Sequence, residues 1–395
     1  MISLSRYTKL LERRELRALI LASILGRLPI GILGLAILLL AQSATGSFAQ
    51  GGIASASYVL GLAAVAPLLG RAIDRYGPRP TLFACALAFP SALVGVVAAY
   101  SMQAPLWIAL TCAATSGASF PPITACMRTY FKQQLSEDVQ LTTAYSLESV
   151  LIELIFITGP MLVGLFVAIA SPALAVLFAA GCGFLGPLLF LRSRALLQWK
   201  IEPRFGASLF GPLTEPAFSR LLVVILCYAS AFGLIEIATA AHAAEAGSAA
   251  YAGVLLAIMS VGSAVGGLFY GSRTWRMPLS RQFPLTLGLM GVGIAPLAMG
   301  LPEWLFALYC VVAGVVMAPA LIMQTMLVAK TSHPEYSAEA FTWSTTCLLA
   351  GVGIGLTLGG QLLEFTRSPS VFATAAAIAV GAAALALPMV KSRPG

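Results

Sequence analysis

Apolar residues fill this chain in long blocks, and the polar stretches between them are short and carry nearly all of the charge. Twelve blocks can be marked, at 16–41, 51–70, 80–101, 106–128, 140–168, 172–191, 220–242, 251–271, 282–300, 304–329, 338–363 and 370–390. Crossing a hydrocarbon layer of about 30 Å takes roughly 20 apolar residues as a helix. Lipid offers no hydrogen bonds to unpaired backbone groups, so each block is expected to be helical throughout, and alternating strand patterns are absent from the sequence. The first block is longer than the apolar core of a signal peptide and lacks a small-residue cleavage site, so it reads as the first span. The expectation is an all-α polytopic membrane protein with twelve transmembrane helices embedded in a lipid bilayer.

Composition agrees with the pattern. Hydrophobic residues make up 59% of the chain, charged residues 10%, and the mean hydropathy is +0.92, whereas soluble proteins carry about 25% charged residues. The net charge of +8 would suit nucleic acid if it were clustered, but it alternates with the spans. Of the 23 Lys and Arg residues, 21 fall in the N-terminus, the C-terminus and every second loop. The opposite loops hold only Arg367, and Arg27 lies inside a span. Cytoplasmic loops of membrane proteins are enriched in Lys and Arg, so both termini are expected in the cytoplasm. The seven cysteines all lie in apolar blocks without a CxxC pair and read as small buried hydrophobes, with neither disulfide nor metal expected.

The chain also repeats. At an offset of 196, Ala144, Tyr145, Gly159 and Gly164 fall on Ala340, Phe341, Gly355 and Gly360; at 197, Gly117 and Pro122 fall on Gly314 and Pro319, and Gly70 on Gly267. The longest polar stretch divides the spans six and six. The expected organisation is an N-terminal six-helix bundle at 1–191, a cytoplasmic linker at 192–219 and a C-terminal six-helix bundle at 220–395, related by pseudo-symmetry. The repeat is broken where ionisable residues lie: Glu148 falls on Ser344 and Glu153 on Leu349.

Two local motifs are specific. Gly70-Arg71-Ala72-Ile73-Asp74-Arg75-Tyr76-Gly77-Pro78-Arg79 is a charged turn bracketed by glycines between the second and third spans. It resembles the loop joining helices 2 and 3 of major facilitator superfamily transporters. Gly159-Pro160 followed by Gly164 in the fifth span is similar to the glycine-proline motif in helix 5 of that superfamily's bacterial twelve-helix drug/proton antiporters, the multidrug efflux group. Those antiporters often carry an Arg where Ala113 stands here. The resemblance implies the superfamily's fold, a bacterial inner-membrane location, action as a monomer, and a cytoplasmic latch formed by Gly70, Asp74, Arg75, Gly77 and Arg79. It also implies a kink at Gly159, Pro160 and Gly164 that seals one side of a central cavity.

Four ionisable side chains lie well inside spans: Arg27, Glu148, Glu153 and Glu236. A charge at the bilayer centre costs at least about 2.5–3.5 kcal/mol, so such residues are functional candidates. Counting from the span starts puts Arg27 and Glu153 at similar depth. They are expected to form a buried pair that protonation of the glutamate loosens, with Glu148 as relay or alternative partner; a permanent pair that locks two helices is the competing reading. Glu236 has no cation at matching depth in its own half and is expected to face the cavity or to be held neutral. By resemblance, the cavity is lined from spans 1, 4, 7 and 10, where Phe120, Met127, Phe232, Met317, Met323 and Gln324 join Arg27 and Glu236. That mainly apolar set suits hydrophobic or amphipathic molecules better than sugars.

These features point to a secondary active transporter that works by alternating access, with protons and a small molecule as its partners, exporting a hydrophobic or amphipathic compound. Proton-coupled uptake or export of an anionic metabolite is the alternative, and a non-transporting sensor or scaffold is a reading from another class. There is no P-loop, HExxH or Cys/His cluster in the sequence, so neither an enzyme nor a cofactor is expected.

Overall fold

The computed structural model describes residues 14–134, 138–193, 196, 215–271, 275–331 and 337–390, and those residues form helices without strands. In chain order the helices are α1 (Arg14–Thr45), α2 (Phe48–Tyr76), α3 (Pro78–Ser101), α4 (Leu106–Ala118), α5 (Ile123–Gln134), α6 (Asp138–Ile169) and α7 (Pro172–Arg192) in the first half. The second half contains α8 (Pro216–Glu245), α9 (Tyr251–Gly271), α10 (Leu279–Ile294), α11 (Glu303–Gly314), α12 (Met317–Thr331), α13 (Ser337–Leu363) and α14 (Ser368–Ala386). Among the described residues, ten stretches are long and apolar enough to cross a membrane. α6, with its apolar segment Leu154–Ile169, and α10, extended by a 3-10 turn at Ala295–Ala298, complete the twelve passes. Most of the linker 192–219 lies outside the described residues.

Two spans are not continuous helices as expected. The fourth breaks between α4 and α5 at Ser119–Pro122, where Pro121 and Pro122 supply no N–H to continue the ladder. The tenth breaks between α11 and α12 at Val315–Val316. The turn between the second and third spans is also shorter than its charge pattern suggested. α2 runs through Asp74 and Arg75 to Tyr76, and Gly77 alone, at φ 81°, reverses the chain into Pro78 of α3. That left-handed conformation is open to glycine without steric penalty.

Packing follows the repeat. α1 packs on α2, α6 and α7 as α8 packs on α9, α13 and α14, and α2 packs on α4 as α9 packs on α11. Lipid is as apolar as leucine, so membrane helices associate through close backbone approach at small residues. The glycines show this position by position. A Cβ on Gly61 would collide with the Ala114 carbonyl, and one on Gly262 with the Val311 carbonyl. Gly117 meets Tyr58 and Leu62 where Gly314 meets Met259 and Ser263. In this pairing the second helices of the two halves are related by an offset of 201. Gly70 therefore corresponds to Gly271, and the match to Gly267 is corrected.

The halves meet along α2/α13 and α6/α9, and again glycines mark where. Gly52 abuts the Leu356 carbonyl and Gly360 abuts Phe48 and Ala49; Gly253 abuts the Pro160 carbonyl and Gly164 abuts Ala250. Eighteen residues make five helical turns, so Gly70 lies on the same face of α2 as Gly52, and Gly271 on the same face of α9 as Gly253. Among the described residues, a Cβ on Gly70 or Gly271 would find nothing within 4 Å. Both second helices thus touch the opposite half near the α1–α2 loop and stand clear of it at their other ends. The halves are closed on the face bearing that loop and diverge toward the face bearing the termini.

Candidate functional site

At about 100° per residue, Arg27, Gly31 and Gly34 form one stripe along α1, and each meets a different charged or close-packed partner. Arg27 Nη2 lies 3.2 Å from Glu148 Oε1 of α6, with both side chains 2% exposed. One turn on, Gly31 packs backbone to backbone on Gly159 of α6. Two turns on, a Cβ at Gly34 would lie 2.5 Å from Glu236 Oε1 of α8. The stripe therefore carries an ion pair within the first half, a helix crossing, and a carboxylate presented from the second half.

Arg27 is paired with Glu148, the alternative partner; the side chain of Glu153 lies outside the described residues. Depth counting does not single out Glu148, but its helical position does point to the α1–α6 contact. Glu148 is eleven residues from Gly159, which places both on one face of α6, whereas positions 148 and 153 are about 140° apart. The spacing from Glu148 to the glycine of the α1–α6 crossing was the signal available in the sequence.

Glu236 is half-buried in α8, and among the described residues no hydrogen-bond or ionic partner reaches its carboxylate. The neighbouring Gly34 carbonyl already accepts the Ser55 hydroxyl at 2.9 Å. Phe232, one turn before Glu236, is half-buried and packs edge-on to Tyr228 at 5.5 Å. Behind it, the Tyr228 hydroxyl donates to Gln324 Oε1, and Gln324 Nε2 donates to Ser344 Oγ at 2.7 Å. Ser344 occupies the repeat position of Glu148. The first half thus ties α1 to α6 by an ion pair, and the second ties α8 through α12 to α13 by a neutral chain. Gly34, Tyr228 and Ser344 were not singled out from the sequence, since an isolated Gly, Tyr or Ser on an apolar helix carries no pattern.

Three expected cavity residues are core residues instead. Phe120 packs edge-on against Phe89 at 5.4 Å, Met127 lies in a buried cluster with Ile123 and Phe131, and the Met323 sulfur accepts from Thr286 Oγ1 at 3.6 Å. Met317 is half-buried against the second half's core. The reason is the two helix breaks, which reset the helical phase, so facing cannot be counted across spans 4 and 10. At the cytoplasmic latch, the side chains of Asp74 and Arg75 lie outside the described residues, and Arg79 is exposed in the first turn of α3. Pro160 lies within α6, its carbonyl against Gly253 of the other half.

A sequence profile described as Major Facilitator Superfamily matches residues 19–242, more than half of the chain. No curated protein matches the sequence. Among solved structures, an auto-inhibited POT family peptide transporter is similar with a TM-score of 0.75 at 11% identity, covering 97% of this chain and 98% of that one. The nucleoside transporter NupG is similar with a TM-score of 0.72 at 15% identity, over 95% of this chain and 100% of that one. The human organic anion transporter MFSD10 (TETRAN) is similar with a TM-score of 0.66 at 16% identity, over 95% and 99%. At such identities the likeness is one of fold.

Proposed function

Because the chain belongs to the Major Facilitator Superfamily, we propose that it is a proton-coupled secondary transporter that exports hydrophobic or amphipathic molecules carrying positive charge. The two six-helix halves, 1–191 and 220–395, rock about the α1–α8 contact while the linker 192–219 holds them together. With the termini in the cytoplasm, as the loop charges imply, the diverging face is the cytoplasmic one, which supports reading this arrangement as inward-facing and ready to load cargo.

Glu236 is the observation that carries this reading. It is a carboxylate deep in the membrane, on the contact between the halves, with no partner for its charge among the described residues. Ionised, it attracts a cation; protonated, it sits in apolar surroundings without the penalty of a buried charge. Cargo and proton competing for one such group are coupled without further machinery. Phe232 on the same face adds an aromatic surface suited to a cationic, apolar molecule.

Arg27 supports the same choice. Its charge is already matched by Glu148, so an anionic cargo of the kind named for the human organic anion transporter would have to displace that carboxylate first. Glu153 remains a second candidate for carrying the proton.

The test is substrate-induced proton flux in proteoliposomes, comparing wild type, Glu236→Gln and Glu153→Gln over lipophilic cations, neutral drugs and carboxylates. Flux driven by lipophilic cations and lost in Glu236→Gln is expected. Full coupled flux in Glu236→Gln refutes the role of Glu236, and flux driven by carboxylates moves the cargo to anions around Arg27.

A further inference from the structure

On the closed face, one acidic side chain crosses from the second half to the first. Glu364, just beyond the end of α13, accepts a hydrogen bond from Ser47 Oγ at 2.6 Å and from the Ala49 backbone N–H at 3.3 Å. Ser47 is the N-cap of α2, its hydroxyl also accepting from the Gln50 N–H at 3.2 Å. The first N–H groups of a helix have no partners within it, and the aligned peptide dipoles leave partial positive charge there. Glu364 therefore places a negative charge on the positive end of a 29-residue helix that belongs to the opposite half.

The contact sits directly above the close approach of α2 and α13. Gly360 packs on Phe48 and Ala49, and Gly52 packs on the Leu356 carbonyl one turn further in. Toward the middle of the membrane the tie between these helices weakens to the Thr346 hydroxyl on the Ala63 carbonyl at 3.4 Å, and at Gly70 no described residue comes within 4 Å of where a Cβ would lie. The bond from Glu364 is thus at the end of the lever farthest from the opening.

The pseudo-symmetric edge lacks it. With the offsets that the glycine contacts establish, Ser47 corresponds to Ser248 before α9, but Glu364 corresponds to Ala168 near the end of α6. The backbone approach is present on both edges, between Gly164 and Ala250 as between Gly360 and Ala49. The carboxylate is present on one.

We propose that Glu364 and the N-terminus of α2 form a one-sided latch that holds the α1–α2 loop face shut and must release before that face opens. The proposal rests on the alternating-access reading above. It predicts that loss of the carboxylate shifts the population toward the state open on this face, with α2/α13 parting first and α6/α9 following.

The test uses the full-length protein in nanodiscs with a cysteine at Ala56, a buried residue of α2 one turn from Gly52. Its reaction with a membrane-impermeant maleimide is quantified at that peptide, so the seven native cysteines do not interfere. An exposed charge on a helix terminus contributes about 0.3–1 kcal/mol, which as a population shift is about a two- to fivefold rise in labelling rate. Glu364→Ala and Glu364→Gln are expected to show that rise, Ser47→Ala a smaller one, and Glu364→Ala with Ser47→Ala no more than Glu364→Ala alone. Unchanged labelling in Glu364→Gln and Ser47→Ala, in protein that retains wild-type thermal stability, overturns the latch. Labelling requires no substrate, so the latch and the transport reading fail separately: faster labelling without any flux leaves the latch standing, and normal flux without a labelling change removes the latch alone.

Discussion

Replacing Glu148 by leucine leaves Arg27 buried in the membrane opposite an apolar side chain, and the consequence can be worked from the geometry. At 3.2 Å and an effective dielectric constant of about 20, the pair's Coulomb attraction is about 5 kcal/mol. Burying each ion costs several kcal/mol, so the intact pair contributes little net stability. Removing one member forfeits the attraction and keeps the other ion's desolvation, which is expected to destabilise the fold by about 3–5 kcal/mol. Arg27→Met with Glu148→Leu removes both charges, and much of that loss should return. For a chain of this size the single substitutions correspond to a fall in melting temperature of roughly 6–10 °C, at about 2 °C per kcal/mol. The assay is thermal unfolding of purified protein in one detergent at a fixed scan rate, for wild type, both single variants and the double variant. If the double variant's loss equals the sum of the single losses, the two side chains are energetically independent and the pairing argument is wrong. If the double variant is stable and still transports, the pair is a lock between α1 and α6 and takes no part in moving protons.

Two further outcomes test the site from its glycines. Gly159→Ala drives a methyl group into the Gly31 backbone and is expected to cost about 1–3 kcal/mol, whereas Gly181→Ala, with nothing within 4 Å, should change the melting temperature within error; equal effects would show that the α1–α6 crossing is not close-packed. Gly34→Ala pushes a methyl group to 2.5 Å from Glu236 Oε1 and so displaces the carboxylate by about 1 Å, which is expected to weaken cation-driven flux about tenfold or more with little loss of thermal stability, and unchanged flux would place Glu236 outside the cargo path.

The sequence was legible where physics acts locally. The apolar blocks marked the passes because the bilayer imposes a length, and most of the glycine coincidences marked positions that make matching contacts in the two halves. Gly159, Gly164, Gly355 and Gly360 were aligned from the sequence, and in the structure each aligned pair makes matching contacts, the first within a half and the second between halves. The site was only partly legible. Arg27, Glu148 and Glu236 could be selected because charge is rare inside apolar helices, but depth counting alone did not single out Glu148 as a partner of Arg27.

What only the tertiary structure decided is a matter of angle and of distance between segments far apart in the chain. Helix facing depends on phase, and the breaks at Ser119–Pro122 and Val315–Val316 shift that phase by an amount that composition does not encode, which is why Phe120, Met127 and Met323 are core residues. The meeting of Gly34 with Glu236, of Glu364 with the α2 N-terminus, and the separation at Gly70 and Gly271 depend on how the two halves are tilted against each other. Sequence fixes the shape of each helix through short-range sterics and solvation; the tilt is set by many weak contacts acting together, and no local pattern records their sum.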